Sequence, residues 1–351
     1  MNPRTRVGLL FGGPSAEHEV SCASALAVAR ALSAEKYDLT VVGVTKDGGF
    51  RHVPQDLLDK LRDQPPGARA IDDHLEVAGP EVGVEFLRQF DVVFPVLHGP
   101  FGEDGVLQGL LEWLGVPYVG CGVAASATGM DKVAMKRAFR AEGIPVTNYV
   151  VTNKDQTAQQ RKELVAGLKL PLFVKPANMG SSIGISRVTD MDDLETAVQQ
   201  AFSYDPVVLV EQGVTARELE TGVLGGFSPA ASVTGEVTVA GGWFDYQQKY
   251  YGDADPMIVP AQLPDGLDEQ LRELSIRAFQ AVGCWGLARI DFLYDEANNQ
   301  PYVNELNTLP GFTAHSMYPK VWAASGIGYA ELLDKLIALA FERQALRKGA
   351  A

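Results

Sequence analysis

Apolar runs and amphipathic segments alternate through the first third of the chain. Residues 7–11, 40–44 and 92–97 read as strands, and 18–32 and 105–114 read as helices between and after them. Strands joined by helices predict a parallel sheet, so 1–120 is expected to form an α/β domain. The pattern breaks around 120–122, and a helical stretch at 132–142 stops at Gly143 ahead of Pro145. A second domain is expected over 121–211, with strands at 172–174 and 207–211, a glycine- and serine-rich stretch at 180–184 and a helix at 192–202. A third, 212–351, holds strand-like runs, a polar loop at 241–255, a helix at 267–282, strands at 287–293 and 302–307, and a closing helix at 329–343. No internal repeat or low-complexity tail interrupts this order.

Length agrees with that division, since 351 residues are enough for two or three domains of roughly 100 to 200 residues each. Apolar residues make up 46% and charged residues 21%, yet no run approaches the ~18 apolar residues of a membrane span. The first residues carry Arg4 and Arg6 and run straight into a Gly-Gly turn, without the apolar region of a signal peptide, so a cytoplasmic protein is expected. Cys22, Cys121 and Cys284 are too few and too far apart for a disulfide framework or a zinc site. A net charge of −14 argues against nucleic acid as a partner. It also means that any anionic nucleotide must be held by a few basic side chains in a locally positive pocket.

The most informative stretch pairs Ala288-Arg289-Ile290-Asp291-Phe292 with Val303-Asn304-Glu305-Leu306-Asn307. In a strand, residues two apart share a face, so Arg289 sides with Asp291 and Glu305 with Asn307. Should the two strands be neighbours, Asp291, Glu305 and Asn307 converge as an all-oxygen set suited to Mg2+, a hard ion that binds nucleotide phosphates. The plainer alternative is a hairpin whose polar residues face solvent. Lys175 closes another apolar strand, ahead of Asn178-Met179-Gly180-Ser181-Ser182-Ile183-Gly184. That loop is able to fold over phosphates beside the lysine charge, or to serve only as a connection, and it is not a Walker A motif because the lysine precedes it.

Two further candidates sit where the first sheet should end. Gly12-Gly13-Pro14-Ser15-Ala16-Glu17-His18 lacks the spacing of a dinucleotide site. Ser15 is expected to cap the first helix, with Glu17 favourable to its dipole or, at the carboxyl edge of the sheet, meeting a substrate ammonium. His98, in Leu97-His98-Gly99-Pro100-Phe101-Gly102-Glu103-Asp104-Gly105, is a ligand-site candidate at the same edge, while Glu103 and Asp104 are expected to begin the next helix.

Together and in this order, the segments resemble the D-alanine:D-alanine ligases. The resemblance runs from about residue 7 to 316 and rests on GGPSAEHEVS at Gly12, LHGPFGEDG at Leu97, MDK at Met130, VKPANMGSSIG at Val174, FDYQQKY at Phe244, ARIDF at Ala288 and NELNTLPGFTAHS at Asn304. It implies an ATP-grasp fold, with an N-terminal Rossmann-like domain and two α+β domains clasping ATP. It further implies that Lys132, Lys175 and Lys249 offset phosphate charge, that adenine lies against Glu211 to Val214, and that Glu218 meets the ribose with Leu293 beneath the ring. Asp291, Glu305 and Asn307 match the family's ligands for Mg2+, for which Mn2+ is expected to substitute. Glu17 would orient the first D-alanine in a hydrogen-bonded set with Ser181 and Tyr250, with His98 nearby. Arg289 and the Gly311 N–H would hold an oxyanion, and Ser316 the second carboxylate.

The implied reaction joins two D-alanine molecules through an acyl phosphate made from ATP, for peptidoglycan synthesis, in a protein expected to be a homodimer. Two rivals are a ligase that accepts D-lactate or D-serine, where Tyr250 argues for an amine acceptor and so against D-lactate, and a nucleotide-binding regulator that has lost catalysis. Arg289 beside the metal set argues against the second.

Overall fold

The computed structural model describes residues 3–62, 77–238, 257–313 and 315–349, which three β-sheets organise. The first contains β1 (Thr5–Gly12), β2 (Tyr37–Val44), β3 (Phe50–His52), β4 (Glu81–Val82) and β5 (Val92–Pro95), in the order β4-β3-β2-β1-β5. β1 runs parallel to β2 and β5, linked to β2 by α1 (His18–Ala31), as the alternation of apolar runs predicts. The sheet is nevertheless mixed, because β3 and β4 are antiparallel. Thr45 and Gly49 close a tight turn between β2 and β3, too short for the crossover that a parallel pair needs.

The chain then forms α2 (Gln55–Arg62), α3 (Val106–Leu114), α4 (Val123–Met130) and α5 (Lys132–Ala141). The second sheet follows, with β6 (Tyr149–Asn153), β7 (Leu172–Pro176), β8 (Ser186–Val188) and β9 (Val207–Gln212) in the antiparallel order β6-β9-β7-β8. Its helices are α6 (Ala158–Val165) and α7 (Leu194–Ala201), the latter entered through a short 3-10 turn.

The third sheet is antiparallel, order β12-β11-β10-β13-β14, with β10 (Arg217–Gly225), β11 (Ala230–Val237), β12 (Met257–Ile258), β13 (Gly286–Asp295) and β14 (Gln300–Asn307). Burial alternates strictly along the middle of β13: Ala288, Ile290, Phe292 and Tyr294 are buried, while Arg289, Asp291 and Leu293 face the other way. The buried side packs against α4, α5 and α8 (Leu267–Val282) through Ala125, Met135, Phe139, Leu271 and Phe279. Apolar positions Leu267, Leu271, Leu274, Ala278 and Val282 give α8 its stripe, and Gly283 in the left-handed region ends it.

α9 (Met317–Ala324) lies on the opposite face of this sheet. It comes close because β10 and β11 offer glycines there: a Cβ on Gly222 would lie 2.8 Å from Trp322 Nε1, and one on Gly235 2.3 Å from Met317 Sδ. The closing helix α10 (Tyr329–Gly349) returns to the first sheet, burying Leu332, Leu333, Leu336 and Ile337 with Val7, Leu9 and Ala25. Phe312, fully buried in the same cluster, ties the end of the third sheet to the first, and truncating it to alanine should cost about 3–5 kcal/mol.

Candidate active site

One cavity draws on all three sheets. Glu17, His98 and Glu103 line it from the first, Met179, Gly180 and Ser181 from the loop after β7, and Glu220, Arg289, Glu305, Asn307, Gly311 and Ser316 from the third, with Lys132 at the head of α5. Lys175, Glu211, Val214, Glu218, Leu293 and Asp291 stand outside its lining. Lys249 and Tyr250, and the polar loop expected at 241–255, lie outside the described residues.

The first-sheet wall is built by short residues on α1. Ser21 accepts from the Gly12 N–H at 2.7 Å and donates to Val96 O at 2.6 Å, fixing both strand ends, and Ser24 Oγ lies 3.0 Å from His98 Nε2. His98 is buried, with Nδ1 3.1 Å from Leu309 O and 3.4 Å from Glu103 Oε1. The helix starts at His18 as expected, but Ser15 is not its cap: Glu17 holds that position, and Ser15 Oγ accepts from the Glu17 N–H at 3.1 Å while donating to His98 O at 2.6 Å. Glu17 Oε2 is tucked against two glycines; a Cβ on Gly99 would come within 2.9 Å of it and one on Gly180 within 3.6 Å.

Glu103 does not begin a helix. Asp104 alone serves α3, accepting from the Val106 N–H at 3.0 Å, and Glu103 turns inward to His98. Burial pushes the Glu103 carboxyl up to about 7, reinforced by the negative charge of Glu17 and opposed by His98. Burial also opposes charging of His98, but its contact with Glu103 outweighs that and raises the imidazole above its ordinary value.

Lys132 follows Asp131, whose carboxylate caps α5 by accepting from the N–H groups of Val133 and Ala134 at 2.8 and 3.0 Å. Its Nζ donates to Met179 O at 2.5 Å and lies 4.0 Å from Glu305 Oε2, and burial lowers its pKa. The loop after β7 makes its sharp bend at Ser181 and Ser182, with φ of 50 and 59, where a side chain is strained. Ser181 and Glu17 share the cavity, but no hydrogen bond joins them among the described residues.

β13 and β14 are neighbours, with Asp291 opposite Glu305 and Arg289 opposite Asn307. A bulge between them makes Asn304 the extra residue, and its Oδ1 accepts from Lys175 Nζ at 3.4 Å. Arg289 donates from Nε and Nη2 to the two oxygens of Asp291, both at 2.7 Å, and its Nε is 2.9 Å from Glu220 Oε2. At the end of the wall Ser316 starts α9 and accepts from the Thr313 N–H at 3.1 Å, and a Cβ on Gly311 would lie 2.9 Å from its Oγ. A carboxylate at this helix start would meet a hydroxyl and a favourable dipole.

Behind the cavity is a sealed ion cluster. Glu211 on β9 lies 2.6 Å from Lys136 Nζ through Oε1 and 2.6 Å from Lys175 Nζ through Oε2, with Thr147 donating to Oε1 as well. The two lysines outweigh the burial of Glu211 and hold its pKa far below the carboxylate range; burial lowers that of Lys136, while Glu211 keeps Lys175 above its ordinary value. Glu218 and Leu293 are direct cross-strand partners on β10 and β13.

Residue chemistry fits Mg2+ at the mouth of this cluster. Among the described residues no three His, Cys, Asp or Glu side chains gather as a metal site, and the donors at hand are two carboxylates and an amide, all oxygen. Sequence reading missed Glu103, Glu220, Lys136 and Asn304. Two of them had a signal: Glu220 is two residues from Glu218 on a strand, and Lys136 is one helical turn from Lys132.

Three sheets meeting over a cleft lined by Lys132, Arg289 and several carboxylates define an ATP-grasp enzyme, and solved structures agree. The D-alanine-D-alanine ligase from Coxiella burnetii matches with a TM-score of 0.81 and 33% identity over 99% of this chain and 97% of that one. The VanG D-Ala:D-Ser ligase from Enterococcus faecalis matches at 0.82 and 32%, over 96% and 100%. Family models described as D-ala D-ala ligase N-terminus and C-terminus match residues 6–121 and 138–338. The chain belongs to the D-alanine–D-alanine ligase family. Curated ligases of that name from Mycobacterium sp. (strain KMS) and Ruminiclostridium cellulolyticum are 44% and 42% identical, each over 97% of this chain and 98% and 96% of their own.

Proposed function

We propose that the protein joins two D-alanine molecules to D-alanyl-D-alanine at the expense of ATP, supplying a peptidoglycan precursor. The observation that carries the reading is the single cavity in which an ammonium-binding carboxylate, Glu17, faces a cation, Arg289, and a helix start, Ser316. The D-alanine carboxylate attacks the γ-phosphate and releases ADP. The amine of the second D-alanine, having given up a proton, then attacks the acyl carbon, and phosphate leaves. Positioning and charge stabilisation are most of what such a transfer asks of the protein.

In this reading Glu17 orients the first ammonium, with His98 and Ser181 beside it. Arg289 and the Gly311 N–H hold the oxyanion, and Ser316 holds the second carboxylate. Lys132 and Lys175 meet the phosphates. Adenine lies along Glu211 to Val214, with Glu218 at the ribose and Leu293 beneath. Because both Glu211 oxygens face lysines, that segment offers adenine its backbone rather than its carboxylate. Lys249 and Tyr250 take their phosphate and lid roles from the sequence motif. Asp291, Glu305 and Asn307 would hold Mg2+, or Mn2+ in its place, whose charge screens the phosphates.

D-Alanine is the acceptor favoured over D-serine or D-lactate, since the relatives near 44% identity are named for it and the D-Ala:D-Ser ligase stands at 32%. ADP release measured with each of the three acceptors, with products identified by mass, tests this: dipeptide must dominate, and ester or D-Ser product dominating would reject it. The protein is placed in the cytoplasm, where ATP is supplied; no helix among the described residues is long and apolar enough to cross a membrane. A homodimer is supported by the outer face of α3, where Val106 and Trp113 are exposed at 56% and 83% although α3 buries Leu107, Leu111 and Leu114 on its other side. Sedimentation should give a dimer for the native chain and a monomer for Trp113→Glu.

A further inference from the structure

The third-sheet wall contains a carboxylate that the reaction above leaves unused. Glu220 lies on β10 directly opposite Asp291 on β13, because the antiparallel register pairs those two residues and sets Gly222 opposite Arg289. Glu220, Arg289 and Asp291 therefore share one sheet face, and their side chains are 16%, 16% and 14% exposed. Arg289 grips Asp291 through Nε and Nη2 and has Glu220 2.9 Å from the same Nε.

We propose that Glu220 is a positioning residue that keeps Arg289 in place when Asp291 turns to a divalent cation. This rests on the assignment of Asp291 to the metal made above. A guanidinium in the forked arrangement occupies an in-plane lone pair on each carboxylate oxygen, and Mg2+ demands directed oxygen donors in near-octahedral geometry. Cation and guanidinium thus compete for Asp291. If Asp291 were the sole anion beside Arg289, metal binding would strip a poorly solvated guanidinium of its counterion, which is strongly unfavourable. Glu220 removes that conflict. Arg289 slides its ion pair to the carboxylate across the ladder and stays at the cavity wall, where the acyl oxyanion is to form.

The arrangement predicts coupling between Glu220 and the metal that runs through Arg289. Mn2+ binding to the full-length protein, in the presence of a non-hydrolysable ATP analogue, is measured by the electron spin resonance of the free ion. Asp291→Asn should weaken binding strongly. Glu220→Gln should weaken it about tenfold in the native background and less than about twofold when Arg289 has been replaced by Met, since Asp291 then has no guanidinium to release. Equal weakening in both backgrounds would make Glu220 a ligand in its own right and overturn the proposal, as would no weakening in the native background. An Asp291→Asn variant that binds Mn2+ normally would remove the metal assignment itself, and the proposal with it.

Discussion

Two ion clusters flank the cleft and are near mirror images in composition. Lys136, Glu211 and Lys175 set two cations on one carboxylate, with side-chain exposures of 1%, 2% and 11%; Glu220, Arg289 and Asp291 set two carboxylates on one cation and open toward solvent at 14–16%. Sealing decides what each is able to do. Glu211 has no access to water that would replace a lost partner, so its cluster fixes where β9 and α5 sit and hence where Lys132 and Lys175 point. The Arg289 cluster has solvent and cavity on one side, so its pairs are free to exchange when charged ligands arrive.

The largest expected effect follows from breaking the sealed cluster. Glu211→Leu leaves Lys136 and Lys175 buried without their anion, and should cost about 3–5 kcal/mol in a denaturant titration. Asp291→Asn, whose Arg289 retains Glu220, should lose much less. Similar losses in the two variants would erase the distinction between a fixing and an exchanging cluster.

Next comes Glu305→Gln, which removes charge from the cavity wall without disturbing the core. Glu305 is 38% exposed, so melting should stay close to native while turnover at ordinary Mg2+ falls by orders of magnitude. A variant that keeps near-native turnover would show that the all-oxygen set between β13 and β14 does not serve the phosphates.

A third, smaller effect concerns Glu103, a buried carboxyl held by neither kind of cluster. Between the ordinary carboxyl value of 4.5 and about 7 the folded protein keeps a proton that the unfolded chain has released. Its contribution to stability therefore declines as pH rises through that window. His98, also raised, acts in the same direction, its contribution being lost as pH passes its folded value. Glutamine has no such proton, so Glu103→Gln should flatten the fall in melting temperature between about pH 4.5 and about 7. Parallel profiles for native and variant proteins would contradict the buried placement of this side chain.

The smallest effect should come from an ion pair between α6 and α7, the helices of the second sheet. Arg161 is itself only 6% exposed but also donates to Gln156 O, and its partner Glu195 is 40% exposed; glutamine keeps an acceptor there, so Glu195→Gln should change stability by only about 1 kcal/mol. A larger loss would mean that exposure is a poor guide to which of these clusters matter.

What was legible in the sequence follows the same division between local and distant causes. The strand expected at 287–293 is part of β13, with Arg289 and Asp291 on a common face, and the helix expected at 267–282 is α8. Antiparallel β3 and β4 were hidden because two or three residues carry too little periodicity to mark a strand. The bulge at Asn304 escaped because it is set by pairing with β13 rather than by its own neighbours. Glu103 looked like a helix start because Asp104 beside it is one; only the approach of His98 from the end of β5 reveals which acid turns inward. Glu220 and Lys136 share a strand or helix face with Glu218 and Lys132, but their partners Arg289 and Glu211 lie 69 and 75 residues away, and local spacing does not name them.

The central claim is that one cavity first activates a D-alanine carboxylate as an acyl phosphate and then delivers an amine to it. Heavy-oxygen-labelled D-alanine, incubated with the protein, ATP and Mg2+, tests it most directly, with the released phosphate analysed by mass. The account predicts that each phosphate carries one oxygen from the amino-acid carboxylate, because the acyl–oxygen bond is the one that breaks when the amine attacks. Unlabelled phosphate alongside dipeptide would contradict it.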